Sequence, residues 1–137
     1  MEEITDRSMH RDVRTLLSFA TSEERVEGEF DLYIQSANRR LFGFTAGVDL
    51  IGCIGVEFLD GNRCEVKHIA VMPEYRGKGI GNRMVDYITN LSSCSCITAE
   101  TDRDAVLFYK KIGFEILSLG EKYVGVERFR CVRFMEG

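Results

Sequence analysis

An arginine and three alternating glycines lie together near the middle of the chain, in the run Arg76-Gly77-Lys78-Gly79-Ile80-Gly81. A turn rich in glycine can adopt positive φ, and it carries no Cβ that would block the approach of an anion. Apolar residues follow at helical spacing and predict a helix: Ile80, Met84, Val85, Ile88 and Leu91. The N–H groups at the start of such a helix, together with its dipole, attract a negative charge. We therefore predict that this turn binds a phosphate.

Two common phosphate-binding patterns fit the turn poorly. A kinase-type P-loop needs four residues between its glycines and then Lys-Ser or Lys-Thr, and the turn has neither. A dinucleotide-binding turn that began at Gly77 and Gly79 would need a third glycine where the chain has Asn82. Glu100 stands near the place where that motif puts an acidic residue, so the dinucleotide interpretation stays open as a weaker alternative.

A third pattern, Arg-x-x-Gly-x-Gly, is formed by Arg76, Gly79 and Gly81. It resembles the loop with which the GCN5-related N-acetyltransferases (GNAT family) hold the pyrophosphate of acetyl-CoA. The run from His68 to Gly81 is similar to that family almost residue for residue. A second segment, Ala105–Phe114, is similar to the family's Ala-x-x-Phe-Tyr-x-x-x-Gly-Phe pattern. The chain is therefore identified by resemblance as a member of this family.

The resemblance covers residues 41–134 well and the first forty loosely, and it implies acetyl-CoA as cosubstrate. In the family, the strand before the glycine turn splays from its neighbour, and its amides pair with the pantetheine arm. The backbone of the turn holds the pyrophosphate, and Lys78 would add charge but little specificity. The implied coenzyme contacts are Ile69, Ala70, Val71, Arg76, Gly77, Lys78, Gly79, Ile80, Gly81, Asn82, Asp102 and Tyr109. The family often has asparagine at position 102, and the carboxylate of Asp102 cannot donate as an amide does. The first interpretation of Asp102 or Asp104 is therefore the N-cap of the following helix.

The resemblance also implies two groups that act on the thioester. The Tyr109 hydroxyl would protonate the departing coenzyme thiolate, although Tyr109 could instead simply pack in the core. The N–H of Ile69 would bind the thioester oxygen as it becomes an oxyanion.

Glu65 is the predicted base that takes a proton from the acceptor amine. Alternation along a strand would put residues 65, 67, 69 and 71 on one face, and some members of the family place a catalytic glutamate at this position. The alternative is a surface charge that pairs with Lys67 or Arg63. His68 is predicted to point to the opposite face as a structural or surface histidine.

The predicted function is therefore transfer of an acetyl group from acetyl-CoA to a primary amine of a small molecule or peptide, by direct attack in a ternary complex. The alternative is a non-catalytic module that binds acetyl-CoA as a sensor or scaffold. Cys64 and Cys131 are not expected to carry the acyl group, because a cysteine on an apolar strand is usually inert. The acceptor amine cannot be read from the sequence. The last strands of such domains often meet a partner, so a homodimer is open.

Composition narrows the class of protein. A chain of 137 residues predicts one domain over 1–137, and its net charge of −4 argues against nucleic-acid binding. Its five cysteines and two histidines, His10 and His68, lack the spacing of a zinc site, so we predict no metal. The acidic opening Met1-Glu2-Glu3 is unlike a signal peptide, and no apolar run is long enough to span a membrane. We therefore expect a cytoplasmic protein with reduced thiols.

The hydrophobic pattern predicts the α/β (α+β) class. It predicts a mixed, mostly antiparallel central sheet of six to seven strands with helices on both faces, in the order strand, two helices, three strands, helix, strand, helix, two strands. The predicted helices cover 10–19, a stretch from 23 to 37 that is interrupted near Gly28, 80–91 and 104–112. The predicted strands lie at 4–5, within 41–59 around a turn at 47–49, at 64–72 and 97–100, and at 114–119 and 124–134. A turn is predicted at Asp60-Gly61-Asn62.

Overall fold

A computed structural model describes residues 1–8, 11–60 and 62–135, and for Ser92 and Lys122 it describes the backbone alone. The described residues form seven strands and four α-helices. The strands are β1 (Glu2–Glu3), β2 (Arg39–Ala46), β3 (Asp49–Leu59), β4 (Arg63–Val71), β5 (Cys96–Asp102), β6 (Glu115–Tyr123) and β7 (Val126–Phe134). The helices are α1 (Val13–Ala20), α2 (Glu23–Gln35), α3 (Ile80–Ser92) and α4 (Val106–Lys111), and a short 3₁₀ turn covers Pro73–Tyr75.

The strands form one sheet in the order β1-β2-β3-β4-β5-β7-β6. Only β4 and β5 pair in parallel, and the other neighbours are antiparallel. The predicted mixed, mostly antiparallel sheet is thus confirmed.

Each face of the sheet is covered by two helices, so the core has two halves. On one face α3 and α4 pack over a cluster that includes Ile54, Val56, Met84 and Ile88, all fully buried. On the other face α1 and α2 pack over a cluster that includes Leu16, Phe30 and Leu41. Period-two alternation along the strands supplies apolar side chains to both clusters.

Several element boundaries differ from the prediction. The first strand is Glu2–Glu3 rather than 4–5, and α2 runs through Gly28 without interruption. The last hairpin turns at 124–125, where Gly125 has φ 77°, rather than at 120–123. Helix α1 begins at Val13, and the predicted start at His10 and the turn residue Gly61 lie outside the described residues.

No helix in the described part of the chain is both long and apolar enough to cross a membrane.

Candidate active site

A cleft of about 1000 Å³ opens where β4 and β5 separate. The two strands pair from Arg63↔Cys96 to Val66↔Ala99, and no pair follows in the described register. Beyond that point β4 continues against β3 to Val71, while β5 continues against β7 to Asp102. The cleft is therefore the gap between two strands that each keep their other neighbour.

A β-bulge at Lys67 marks the start of this gap. On β3, Gly55 pairs with His68 and the next residue, Val56, pairs with Val66, so Lys67 is an extra residue on β4. A bulge shifts the alternation of side chains between the two faces.

The bulge overturns the predicted set of residues on one face. Glu65 lies opposite Glu57, which holds an ion pair with Arg39 beneath α2, whereas Ile69 packs against the core on the α3 side. Glu65 and His68 therefore share the α1/α2 face, and the prediction that 65, 67, 69 and 71 share a face is wrong. Glu65 lies 3.5 Å from the Lys67 ammonium and is not among the described residues that line the cleft.

Two backbone N–H groups of β4 point into the gap. The N–H of Met72 donates to the Ile51 carbonyl of β3 at 2.8 Å. Because N–H groups alternate between the two edges of a strand, those of Ile69 and Val71 point away from β3, towards the gap. The Val71 carbonyl shows the same orientation, since it accepts a hydrogen bond from Arg76 on that side. The edge of β4 that faces the gap thus offers the N–H groups of every second residue as hydrogen-bond donors.

The glycine turn brings the start of α3 to the same cleft. Gly77 and Gly79 have φ of 76° and 80°, a region that other L-residues adopt rarely, and Gly79 is the N-cap of α3. The first N–H groups of a helix have no acceptor inside the helix. With Ile80, Gly81 and Asn82, these glycines line the cleft. The turn can therefore present several N–H groups and the positive end of the helix dipole to an anion.

Arg76 fixes the turn to two other elements. Its Nε donates to the Val71 carbonyl at 2.9 Å, and its guanidinium carbon lies 5.0 Å from the ring centroid of Phe19 in α1. Lys78 instead lies with its ammonium 5.5 Å from the centroid of the Tyr75 ring, outside the described lining of the cleft.

Gly81 lets α3 and α4 approach each other closely. A Cβ at this position would lie 2.6 Å from Cε1 and 2.7 Å from Cζ of Phe108. The Phe108 ring in turn packs edge-on against Tyr109 with 5.1 Å between their centroids. The third glycine is therefore needed for the contact between the glycine turn and the helix that carries Tyr109.

Tyr109 is 5% exposed and lines the cleft. Its ring packs between Phe108 and Phe114, with centroids at 5.1 and 5.2 Å. Burial raises the pKa of the Tyr109 hydroxyl above its ordinary value, so the phenol keeps its proton at neutral pH. The side chain is thus both packed and reachable from the cleft.

The carboxylate of Asp102 lies at the end of β5 and accepts hydrogen bonds from the N–H groups of Asp104 and Ala105 at 3.1 and 3.2 Å. It closes the turn before α4, whose N-cap is Ala105 rather than the predicted Asp102 or Asp104. Asp102 also lines the cleft.

The structure brings most of the predicted site residues to the cleft: Ile69, Ala70, Val71, Arg76, Gly77, Gly79, Ile80, Gly81, Asn82, Asp102 and Tyr109. Phe19, Lys67, Glu100 and Arg128 also line the cleft, and no pattern in the sequence predicted Phe19 or Lys67 there. The Arg128 guanidinium lies 3.6 Å from the Glu100 carboxylate, across the β5–β7 pair. Residues 1–40 carry no motif, so the sequence offered no signal for Phe19.

The cysteines lie outside this chemistry. All five are free and buried, and burial raises the pKa of Cys64 and of Cys131. A buried thiol with a raised pKa forms little of the nucleophilic thiolate. Among the described residues, no group of three or more His, Cys, Asp and Glu side chains is placed to hold a metal ion.

Known proteins match this chain in sequence. A family model described as an acetyltransferase (GNAT) domain matches residues 37–116. The N-alpha-acetyltransferase RimI of Mycobacterium tuberculosis is 30% identical over 103 residues, which make up 71% of this chain and 65% of that protein. An uncharacterized N-acetyltransferase of Bacillus methanolicus is 33% identical over 79 residues, 56% of this chain and 66% of that protein. The chain thus spans about two thirds or less of these relatives.

Solved structures share the fold. An aminoglycoside 6'-N-acetyltransferase complexed with coenzyme A matches with a TM-score of 0.82 and 16% identity, over 100% of this chain and 98% of that one. A candidate streptothricin acetyltransferase of Bacillus anthracis, in complex with acetyl coenzyme A, matches with a TM-score of 0.69 and 22% identity, over 78% of this chain and 68% of that one. Since the family model matches more than half of the chain, and the sheet, the glycine turn and the gap beside β4 agree with it, this chain belongs to the GNAT family of acetyltransferases.

Proposed function

We propose that this protein transfers an acetyl group from acetyl-CoA to a primary amine, by direct attack in a ternary complex. One observation carries the proposal: a single cleft is lined by the N-terminus of α3, by the gap edge of β4 and by Tyr109. These groups suit the diphosphate, the pantetheine arm and the sulfur of an acyl-CoA, respectively. Neighbours in fold were solved with coenzyme A or acetyl coenzyme A, which supports the choice of coenzyme.

The β4 edge would bind and polarise the thioester. The Ile69 N–H points into the gap and would donate to the carbonyl oxygen, which gains negative charge as the amine attacks. The Val71 N–H, two residues on along the same edge, would pair with the pantetheine arm. Arg76 and the backbone of the glycine turn would hold the diphosphate, and Asn82 lines the same part of the cleft.

Tyr109 would supply the proton that the coenzyme sulfur needs when the C–S bond breaks. An ordinary phenol has a pKa of about 10 and a thiol about 8.5, so the transfer is uphill by about 2 kcal/mol. Burial raises the pKa of Tyr109 further, which adds to this difference. Tyr109 can therefore act only if the sulfur lies within hydrogen-bond reach, and the packing between Phe108 and Phe114 would keep it in place.

The acceptor must lose a proton before it can attack. A lysine-like amine with a pKa of about 10.4 costs roughly 4–5 kcal/mol to deprotonate at pH 7, whereas an α-amine with a pKa of about 8 costs roughly 1–2 kcal/mol. Glu65 stays a candidate base, but its ion pair with Lys67 and its position outside the cleft lining require a bridging water.

A thiol-release screen tests the proposal. The protein is mixed with acetyl-CoA and a panel of peptide N-termini, aminoglycosides, polyamines and amino acids. The first three classes are suggested by the names of RimI, of the aminoglycoside 6'-N-acetyltransferase and of the spermidine N-acetyltransferase chimeras. Release of free coenzyme A that depends on one class of amine, together with the acetylated product by mass spectrometry, is the expected result. Tight binding of acetyl-CoA without release on any amine would instead favour the sensor or scaffold function.

A further inference from the structure

His68 and Tyr33 form a buried polar pair next to the cleft. The Tyr33 hydroxyl lies 2.5 Å from Nδ1 of His68, and their rings meet edge-on with 5.6 Å between centroids. The two side chains are 7% and 4% exposed, and His68 lines the cleft. Burial raises the pKa of the Tyr33 hydroxyl, so it stays protonated at neutral pH.

Gly55 makes room for this pair. It lies directly opposite His68 on β3, and a Cβ there would come within 2.0 Å of the Tyr33 hydroxyl oxygen. The space that a side chain at position 55 would fill is therefore occupied by the end of the tyrosine. The hydroxyl can reach the imidazole only because position 55 is glycine.

The second ring nitrogen of His68 faces accessible space. Among the described residues, Nε2 has no hydrogen-bond partner, whereas every fully buried side-chain nitrogen or oxygen there has one. Nε2 is therefore reached by solvent, and His68 is one of the residues that line the cleft. The hydroxyl fixes one nitrogen and leaves the other available.

After the bulge at Lys67, the residue that carries this imidazole directly precedes Ile69, whose N–H would bind the thioester oxygen. The Ile69 N–H points into the gap, while the His68 side chain lies on the α1/α2 face. We propose that His68 accepts the proton that the acceptor ammonium loses, and that Tyr33 is its positioning residue. This inference rests on the acetyl transfer proposed above. Tyr33 lies outside the motifs that resemble the family, and His68, the first residue of the matching run, was predicted only as a structural or surface histidine.

The proton balance of the step is simple. Nδ1–H of neutral His68 donates to the Tyr33 oxygen, and Nε2 takes one proton from the ammonium, directly or through a water molecule. The free amine then attacks the thioester carbon, the C–S bond breaks, and the thiolate takes its proton from Tyr109. The attacking nitrogen loses its second proton as the amide forms, and that proton, passed on through water, restores the Tyr109 hydroxyl. His68 returns its proton to solvent through the cleft. One proton is released for each acetyl group transferred.

The charges around His68 favour its neutral form at pH 7. Burial lowers the pKa of His68 below its usual value, and Arg39 of β2 and Lys67 of β4 lower it further, against Glu29 of α2, which raises it. Arg39 also forms ion pairs with Glu29 and with Glu57 of β3, so the negative charge of both carboxylates acts less strongly on the His68 ring. Protonation of His68 as the pH falls through this lowered pKa would therefore stop the reaction, and it would give the pH–rate profile an acid limb below the ordinary histidine pKa of about 6.5.

His68→Gln tests the base. The probe is a peptide whose only amine is its N-terminus, with a pKa of about 8, together with any amine that the thiol-release screen identifies. We expect kcat/KM for the amine to fall by about 100-fold at pH 7, the low end for loss of a general base. We also expect the pH–rate profile of the variant to lose this acid limb and to follow ionisation of the amine itself. The Kd for acetyl-CoA should stay the same.

Tyr33→Phe tests the positioning residue, and Tyr87→Phe is its matched control. Tyr87 lies on α3 against Phe42, away from the cleft lining. Because the Tyr33 oxygen stabilises the imidazolium, its loss should lower the pKa of His68 and move the acid limb of the Tyr33→Phe variant to lower pH. Tyr87→Phe should leave the limb in place.

The outcomes separate this proposal from the function on which it rests. If wild-type protein acetylates no amine, both are overturned. If wild type acetylates the probe and His68→Gln shows the same rate and pH profile, only the role of His68 is overturned. If His68→Gln fails to fold, the acid limb of Tyr33→Phe decides, and an unmoved limb overturns the proposal.

Discussion

Replacement of Gly81 by alanine tests the contact between the glycine turn and the helix that carries Tyr109. The new Cβ would lie 2.6 Å from Phe108, so either the Phe108 ring or the start of α3 must move. Gly28→Ala is the matched control, because Gly28 also lies in a helix but has nothing within 4 Å of its Cβ position. The two variants make the same chemical change in different surroundings.

The two substitutions should change the free energy of unfolding in different directions. Alanine in place of a helical glycine stabilises by about 0.5–1 kcal/mol, and Gly28→Ala should show that gain. Gly81→Ala can gain no more than this, and it meets an overpacking cost of about 1–3 kcal/mol. Movement of the Phe108 ring is opposed by Tyr109, whose ring centroid lies 5.1 Å from that of Phe108. Gly81→Ala should therefore be about 1–3 kcal/mol less stable than Gly28→Ala, or about 4–12 °C lower in Tm.

Thermal unfolding of the two variants beside wild type measures this difference, and calorimetric titration with acetyl-CoA measures its effect on the site. We expect acetyl-CoA to bind roughly tenfold more weakly to Gly81→Ala, if about 1.4 kcal/mol of the strain falls on the bound state. Gly28→Ala should bind as wild type does. Equal gains in Tm for both variants would refute the argument that Gly81 is required for helix contact.

Four residues and one ion pair give the remaining predictions. Tyr109→Phe should lower kcat by about 100-fold or more while the Kd for acetyl-CoA stays the same, because only the proton donor is lost. Arg76→Lys should weaken acetyl-CoA binding about tenfold, because a charge-assisted hydrogen bond to the Val71 carbonyl is lost. Acetyl-CoA should slow amide hydrogen exchange at Ile69 and Val71, which point into the gap. Glu3→Gln should lower stability by under about 1 kcal/mol at pH 7. Its ion-paired arginine on β2 lowers the pKa of Glu3, so this stabilisation is present above the carboxylate's unfolded pKa and is lost as the pH falls through the lower folded value.

Three of these predictions have a contrasting measurement. Unchanged kcat in Tyr109→Phe would reject the acid role, and Tyr87→Phe shows what loss of a hydroxyl outside the cleft does. The amide of Ala70 points towards β3, so faster or slower exchange there to the same extent would mean a general change in stability rather than binding in the gap. A Glu3→Gln difference that persists at pH 3 would mean that charge is not its cause.

The coenzyme side of the site could be predicted from sequence because it depends on short local patterns. Gly77 and Gly79 have the positive φ that their alternation predicted, and α3 begins at Ile80, where the apolar spacing begins. Gly113, with φ 96°, ends the helix that carries Tyr109, as predicted from its position. Each of these features is set by residues within a few positions of one another.

The acceptor side could not be predicted because it depends on long-range pairing. The extra residue at Lys67 shows only in the register of β4 against β3, and a strict alternation therefore put Glu65 on the wrong face. The partnership of His68 with Tyr33 joins residues 35 positions apart. This pair also needs Gly55 on the opposite strand. From the sequence alone, a glycine inside a strand indicates only a local loss of strand stability.

The strand order explains why the cleft exists before any coenzyme binds. β3 pairs with β4 as far as Val71, and β7, inserted between β5 and β6, pairs with β5 as far as Asp102. Each wall of the gap is therefore held by a complete antiparallel ladder on its outer side. To close the gap, one of these ladders would have to bend, so the N–H groups of Ile69 and Val71 stay open to solvent in the free protein. A coenzyme that docks on this edge replaces water and does not have to separate two paired strands, which keeps the ordering cost of binding low.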